Sequence, residues 1–238
     1  MTGVIDHPSS PEEFAHLARE LVETPGVMPT VHGVVESAIH AVPCTWAAVV
    51  VTDDVHQRPA RMLAANDSEL VRVIGGIAVG VGASPGIVAF DEARTVCCPD
   101  LEHEEQFRHY AEEMVAHTRV RAVISIPLVL RGATTGVMTV YADRPHAFDR
   151  DAAARAHVLA EHAAIAIDAA RVEDAAENLE VALLRSRTIG AAMGILIERH
   201  KLTVDEAFDR LRVASQNANR KLADIAAELV ETGTADGL

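Results

Sequence analysis

Aromatic residues and long hydrophobic runs are both scarce in this sequence. One Trp, two Tyr and five Phe make up 3% of the 238 residues, which disfavours haem or stacked bases as ligands of the N-terminal part. No run of about 20 apolar residues occurs, so we expect no membrane span. The N-terminus, MTGVIDHPSSPEEF, lacks a basic segment followed by an apolar one, so we expect no signal peptide and a cytoplasmic protein.

Cysteine is rare and its number is odd: the chain has Cys44, Cys97 and Cys98. This pattern fits reduced thiols in the cytoplasm better than a disulfide framework. Adjacent Cys97 and Cys98 must point to opposite faces of a strand, and no spaced Cys or His pair accompanies them, so we predict no metal site. We interpret the pair as ordinary small hydrophobic residues, with a thiol sensor as the alternative.

Positive charge is also in deficit, because 21 Lys and Arg stand against 35 Asp and Glu, a net charge of −14. Such a surface does not adhere generally to nucleic acids or membranes, so any nucleic-acid site must be local. One segment reverses the balance. From Leu183 to Val230 there are eight Lys and Arg and six Asp and Glu.

That segment has the apolar periodicity of three helices joined by short connections. The first stripe is Ile189, Ala192, Met193, Leu196 and Ile197. Thr203 and Glu206 have the spacing of a capping box at the start of the second helix. The second stripe is Val204, Ala207, Phe208, Leu211 and Ala214, and the third is Leu222, Ile225, Ala226 and Leu229. A polar and basic joint, Ser215 to Lys221, separates the last two helices.

The segment resembles the ANTAR domain, a three-helix RNA-binding module of bacterial transcription antiterminators. The matching positions are Arg187, Ile189, Ala192, Gly194, Leu196, Asp205 to Phe208, Leu211, Arg212, Ala214, Ser215, Asn219 to Leu222, Ile225 and Ala226. Met193 departs from the pattern, since many members carry Lys there, and this chain has one basic side chain fewer for RNA. The resemblance implies antitermination, in which paired hairpin loops of a leader RNA are bound and a terminator is prevented from forming.

We therefore predict an RNA-binding surface around the joint, where cations suit phosphates and amides or hydroxyls suit unpaired bases. Its members are Arg187, Arg212, Ser215, Gln216, Asn217, Asn219, Arg220 and Lys221. Arg187 enters mainly through the resemblance. One alternative is a solvated charged face in which Arg212 and Arg220 pair with Asp209 and Asp224. Another is a helix-turn-helix that reads DNA.

The N-terminal part alternates between helical and strand periodicity. Helices are predicted at 10–23, 30–41, 67–79 and 102–118, and strands at 46–52, 61–65, 94–98, 120–130 and 136–141, with a turn at 53–59. The last two strands form a hairpin around Arg131 and Gly132. This order predicts an α+β domain whose antiparallel sheet is flanked by helices.

Residues 11–170 resemble a GAF domain, a small-molecule-sensing fold related to PAS. The resemblance is carried by Arg121 to Leu128, Gly132, Gly136, Val140, Tyr141 and Phe148. It implies that this domain senses a small molecule or dimerises, and methionine sulfoxide reductases of GAF fold supply an enzymatic alternative. We expect no enzyme, no cofactor and no catalytic residues, because no Ser-His-Asp, paired-carboxylate or His-Glu-x-x-His arrangement occurs. Gly80, Gly82 and Gly86 are interpreted as a simple loop.

From Asp149 to Arg185 the sequence is helical without a breaker. Apolar residues and one histidine recur at alternating spacings of four and three, a heptad seam. The seam is Val158, His162, Ile165, Ala169, Val172, Ala176, Leu179 and Leu183. We predict that it helps to form a homodimer, while Leu159, Ala163 and Ala166 widen the apolar face toward a second neighbour. A parallel pair would set Asp168 against the partner's Glu173, which is repulsive.

The expected organisation is a tail at 1–9, a GAF-like α+β domain at 10–150, a coiled-coil-like helical stalk at 151–185, an all-α three-helix ANTAR-like domain at 186–232 and a tail at 233–238. The expected function is RNA-binding transcription antitermination. A DNA-binding regulator and a thiol redox enzyme are the alternatives.

Overall fold

The computed structural model describes residue 16 and residues 19–52 and 62–235. Two compact units make up the chain, Met1–Glu173 and Asp174–Leu238. Residues 19–23 are helical, in agreement with the predicted first helix, whose start at Ser10 lies outside the described residues. The predicted turn at 53–59 and the first residue of the second strand, Arg61, also lie outside them.

The first unit contains a five-stranded antiparallel sheet, as the sequence predicts. Its strands are β1 (Trp46–Val51), β2 (Met62–Ala65), β3 (Val96–Cys98), β4 (Ala122–Leu130) and β5 (Ala133–Ala142), in the order β2-β1-β5-β4-β3. β4 and β5 form the predicted hairpin, which turns at Arg131 (φ 52°) and Gly132 (φ 81°). Two positive φ values give the turn a twist that matches that of the strands.

Helices cover both faces of the sheet. Alternate residues of β1 divide between them, with Ala47 and Val49 in one core and Ala48 in the other. The first core is completed by α1 (Val27–Ala41) and by the beginning of a long helix, α5 (Arg150–His200). The second is completed by α2 (Ser68–Val81), α3 (Pro85–Glu92) and α4 (Arg108–His117).

Two predicted boundaries on the second face are wrong. The helix predicted from Glu102 is a short 3₁₀ turn, Leu101–His103, and α4 begins only at Arg108. The Glu104 carboxylate accepts hydrogen bonds from the N–H groups of Gln106 (2.8 Å) and Phe107 (3.4 Å), so the side chain replaces the helical partners of those groups. In addition, the predicted glycine loop is shorter than expected, because Gly80 lies inside α2 and Gly86 lies inside α3. Gly82 is the C-cap of α2, with a φ of 76°.

The second unit consists of the end of α5 with α6 (Val204–Ala218) and α7 (Leu222–Thr232). Its buried residues are Ala192, Leu196, Ala207, Leu211, Ala214, Ile225, Ala226 and Leu229. The prediction that Val204 and Phe208 face inward is wrong, because 62% and 43% of their surfaces are exposed. The end of α5 and α7 cover only a narrow stripe of α6. That stripe consists of Ala207, Leu211 and Ala214.

The long helix α5 runs without interruption from Arg150 to His200, so no break marks position 185.

Within the described ranges, no single helix is long and apolar enough to cross a membrane. The helices α2 and α3, which are bent by 70° relative to each other, pass that test as a pair on length and composition alone.

Candidate nucleic-acid interface

The joint between α6 and α7 is held by backbone and hydroxyl hydrogen bonds. Asn219 ends α6 in the left-handed conformation (φ 50°, ψ 40°), which Asn adopts more readily than most residues. The Arg220 N–H donates to the Ser215 carbonyl (3.1 Å), and the Ser215 hydroxyl donates to the Arg220 carbonyl (2.5 Å). The backbone therefore turns from α6 into α7 within a few residues.

Lys221 lies at the start of α7 as its N-cap residue. Its carbonyl accepts the N–H groups of Asp224 (2.9 Å) and Ile225 (3.2 Å), whereas its side chain is exposed and forms no cap bond. In the part of the chain that the structure describes, no carboxylate forms an ion pair with Lys221. An unpaired ammonium thus lies beside the partly positive first turn of a helix, although Asp224 in that turn reduces the positive potential.

Two arginines of the predicted surface have carboxylate partners. Arg212 pairs with Asp209 at 3.0 Å, as the solvated-face alternative predicts, and both side chains are at least half exposed. The predicted pairing of Arg220 with Asp224 is wrong, because Arg220 reaches Glu228 instead, at 2.5 Å. Arg220 therefore ties the joint to α7, whereas the Arg212 guanidinium is oriented by Asp209 but remains open to a ligand.

The other predicted members differ in their surroundings. Gln216 and Asn217 are exposed on the last turn of α6. The Ser215 hydroxyl proton is already used within the joint, which leaves its oxygen as an acceptor. Arg187 is exposed on α5, and among the described residues no hydrogen bond or ion pair connects it to the joint. The structure thus brings residues 215–221 together and leaves Arg187 separate.

Sequence reasoning missed the exposure of Phe208. Its ring lies on the same side of α6 as Arg212, because residues four apart are neighbours on a helix. The periodicity of α6 marks Phe208 as apolar and nearly inward, so only the positions of the neighbouring helices reveal that it is uncovered.

The heptad seam of α5 faces solvent in the single chain. Val158, Ile165, Val172, Leu179 and Leu183 are exposed, and the seam histidine, His162, is half-buried. The other apolar face of the helix contributes to the first core through Leu159, Ala163 and Ala166, as the widened stripe predicts. One apolar face is therefore used within the chain and the other is not.

The cysteines lack the environment of a reactive thiol. Cys97 is exposed and Cys98 is buried, as their alternation on β3 predicts. Burial raises the pKa of the Cys44 thiol to about 12, and burial together with the Glu104 carboxylate raises the pKa of both Cys97 and Cys98. A nucleophilic thiol needs the opposite shift. Among the described residues no group of three or more His, Cys, Asp or Glu could hold a metal ion.

Comparison with known proteins finds a family match for each of the two units. A family model of the GAF domain matches residues 30–168, and one of the ANTAR domain matches residues 177–230. No curated protein sequence matches the chain.

Several solved structures share the fold of the first unit. The GAF domain of a phosphoenolpyruvate-protein phosphotransferase from Coxiella burnetii is 18% identical with a TM-score of 0.52, over 69% of this chain and 95% of that one. The corresponding Acinetobacter domain is 14% identical with a TM-score of 0.52, over 68% and 96%. A free methionine-R-sulfoxide reductase from Neisseria meningitidis, in complex with its substrate, is 12% identical with a TM-score of 0.51, over 72% and 99%. At these identities the likeness shows the fold alone.

The two family matches account for most of the described chain, and the GAF match alone covers more than half of its length. A GAF domain is a sensory domain, and an ANTAR domain indicates an RNA-binding antitermination regulator rather than an enzyme. The chain belongs to the GAF domain family and carries an ANTAR domain at residues 177–230.

Proposed function

We propose that this protein is a homodimer that binds paired hairpin loops in a leader RNA and thereby prevents a terminator from forming. The GAF domain senses the signal or contributes to the dimer. The observation that carries the proposal is the fixed joint of the ANTAR domain, which places the unpaired Lys221 at the N-terminus of α7. In a chain with a net charge of −14, such a local cationic site favours a specific nucleic-acid contact.

The members of the predicted surface have different roles in this proposal. Lys221, Arg212 and the first N–H groups of α7 bind phosphates, because cations and helix N-termini both attract them. Gln216, Asn217 and Asn219 bind the edges of unpaired loop bases through their amides. Arg220 keeps the joint against α7 through Glu228 and contributes charge. Arg187 extends the surface from α5.

The dimer matches a target with two loops, because two ANTAR domains on one particle raise the effective concentration of the second contact. The exposed seam of α5 supplies the dimer surface. A parallel pair brings Asp168 near the partner's Glu173, but Arg131 lies 3.4 Å from Asp168 and offsets part of that repulsion. This ion pair lowers the electrostatic cost of a parallel arrangement.

The test replaces Arg212 and Lys221 together by Gln in the full chain. The probe is a stem-loop RNA selected on the unaltered protein from a pool with a fixed stem and a randomised loop. Lys201→Gln is the matched control, because Lys201 is an exposed cation of the same unit that pairs with Glu198 at 2.7 Å, outside the surface. We expect the double variant to bind more weakly and its log–log salt slope to flatten by about 0.7 for each phosphate that is no longer neutralised.

The control should retain both the affinity and the salt slope of the unaltered chain. Equal affinity and slope in the double variant would move the RNA-binding surface elsewhere. If no stem-loop is enriched, the proposed function is wrong. If duplex DNA binds as tightly as the selected RNA, the DNA-binding alternative takes its place.

A further inference from the structure

One aromatic side chain of the second unit lies at the surface. Among the described residues, Phe208 is the one aromatic residue that is exposed, with 43% of its surface accessible. The other described aromatic residues are buried or half-buried in the first unit. An exposed phenyl ring lacks the stabilisation that burial gives, so Phe208 is available to a ligand on the surface of α6.

The polar residues around Phe208 define what that ligand can be. Arg212 follows one helical turn later and Gln216 one turn after that, so the three form a row that leads to the joint. Asp205 precedes Phe208 by three residues and is its neighbour on the helix surface, and Asp209 pairs with the Arg212 guanidinium at 3.0 Å. The exposed Asp205 carboxylate repels a phosphate beside the ring, whereas its oxygens accept hydrogen bonds from the amino groups of a nucleobase. Only Arg212, farther along the row, suits a phosphate.

We infer that Phe208 is a stacking platform for one unpaired base of the RNA loop, with the phosphate of the same nucleotide at Arg212. The inference rests on the proposed function and adds a base-binding position that lies outside the joint. Stacking on an aromatic ring is sequence-tolerant, because every base has a π-face. Phe208 therefore contributes affinity, while the Asp205 carboxylate and the amides of the joint contribute the choice of base.

A second copy of the chain is a weaker candidate for this surface. Two copies meeting at Phe208 around a two-fold axis would bring their Asp205 and Asp209 carboxylates together, and like charges repel. The heptad seam of α5 already offers a longer apolar surface for self-association.

The experiment compares Phe208→Leu and Phe208→Trp in the full chain, with the selected stem-loop RNA as the probe. Leu keeps an apolar side chain but removes the π-system, whereas Trp enlarges it. Val213→Ala is the control, because Val213 is 46% exposed on α6 but lies off the row. We expect Phe208→Leu to weaken binding about ten-fold without a change in salt slope, and Phe208→Trp to bind at least as tightly as the unaltered chain. Val213→Ala should bind normally.

A fluorescent base identifies the nucleotide. With 2-aminopurine placed at each loop position in turn, one position should be quenched by the unaltered protein and not by Phe208→Leu. The inference is overturned if Phe208→Leu binds as tightly as the unaltered chain, or if its weaker affinity is fully explained by dimer dissociation, measured by sedimentation. Weak binding by the Arg212 and Lys221 double variant with normal binding by Phe208→Leu would leave the proposed function standing and remove only the stacking on Phe208.

Discussion

At the scale of single residues, Asn219 combines a structural and a proposed binding role. Its left-handed backbone (φ 50°) ends α6 and makes the turn that positions Lys221. Its amide belongs to the proposed RNA surface. A Gly at this position keeps the backbone and removes the amide, whereas a Val strains the backbone, because a branched Cβ opposes a positive φ.

The two substitutions should therefore separate the roles. We expect Asn219→Gly to leave thermal unfolding of the second unit nearly unchanged and to weaken RNA binding. Asn219→Val should lower the free energy of unfolding by about 1–2 kcal/mol and also weaken binding. Circular dichroism melting and filter binding on the same samples measure both effects. Equal melting of the two variants would show that the left-handed turn is not what holds the joint.

Local features of single residues could be predicted from the sequence, whereas features that depend on packing could not. The capping box of Thr203 and Glu206 was predictable because it depends on a local spacing, and the structure confirms it, with the Thr203 N–H 2.8 Å from the Glu206 carboxylate. The partner of Arg220 and the exposure of Phe208 depend on how α6 and α7 pack together. The periodicity of one helix does not show how much of its surface the neighbouring helices will bury.

At the scale of elements, periodicity predicted the hairpin and most helices because each of these has a long, regular apolar face. It failed at residues 104–107, where the Glu104 side chain competes with the helix for backbone N–H groups. Periodicity also could not predict the register in which neighbouring strands pair. Nothing in the local pattern shows that β5 pairs with β1 so that Gly136 lies opposite Val51.

That pairing leads to a prediction for Gly136. A Cβ at this position would lie 2.5 Å from the carbonyl oxygen of Val50, which is backbone and cannot move aside. We expect Gly136→Ala to force β5 away from β1 and to lower the free energy of unfolding of the first unit by about 3 kcal/mol. Gly75→Ala is the control, because a Cβ on that exposed helical glycine meets nothing within 4 Å.

The control should be neutral or stabilise the protein by up to about 1 kcal/mol, since Ala favours a helix. Urea unfolding monitored at Trp46, which lies on β1, reports on the first unit. Equal midpoints for Gly136→Ala and the unaltered chain would contradict the close approach of the two strands.

At the scale of the whole molecule, α5 belongs to both units, and its sequence combines two apolar patterns. Its first part has a face that packs on the sheet and a seam that does not. Residues 175–187 are all exposed in the single chain, including Leu179 and Leu183. Because isolated helices gain little stability from propensity alone, a helix of this length needs packing against a partner. A second copy of the same seam is the partner that the heptad spacing favours.

The final prediction tests that seam with two positions that lie two residues apart on opposite sides of one helix. Leu179 lies on the seam and is 61% exposed, whereas Val181 lies opposite the seam and is 43% exposed. Leu179→Asp buries a carboxylate in any interface that the seam forms, so we expect it to shift the protein to monomers, as we also expect for Ile165→Asp. Val181→Asp introduces the same carboxylate but leaves it in water, so this variant should stay dimeric. Sizing with light scattering at micromolar concentration measures the mass of each variant.

The outcome also bears on RNA binding, because the proposed gain from two loops requires two ANTAR domains on one particle. Leu179→Asp should therefore bind a single stem-loop as the unaltered chain does, without the additional affinity for an RNA that carries two. Monomers of the unaltered protein, or a dimer that Leu179→Asp and Val181→Asp disturb equally, would contradict dimerisation through the seam. The ANTAR domain would then have to recognise paired loops one chain at a time.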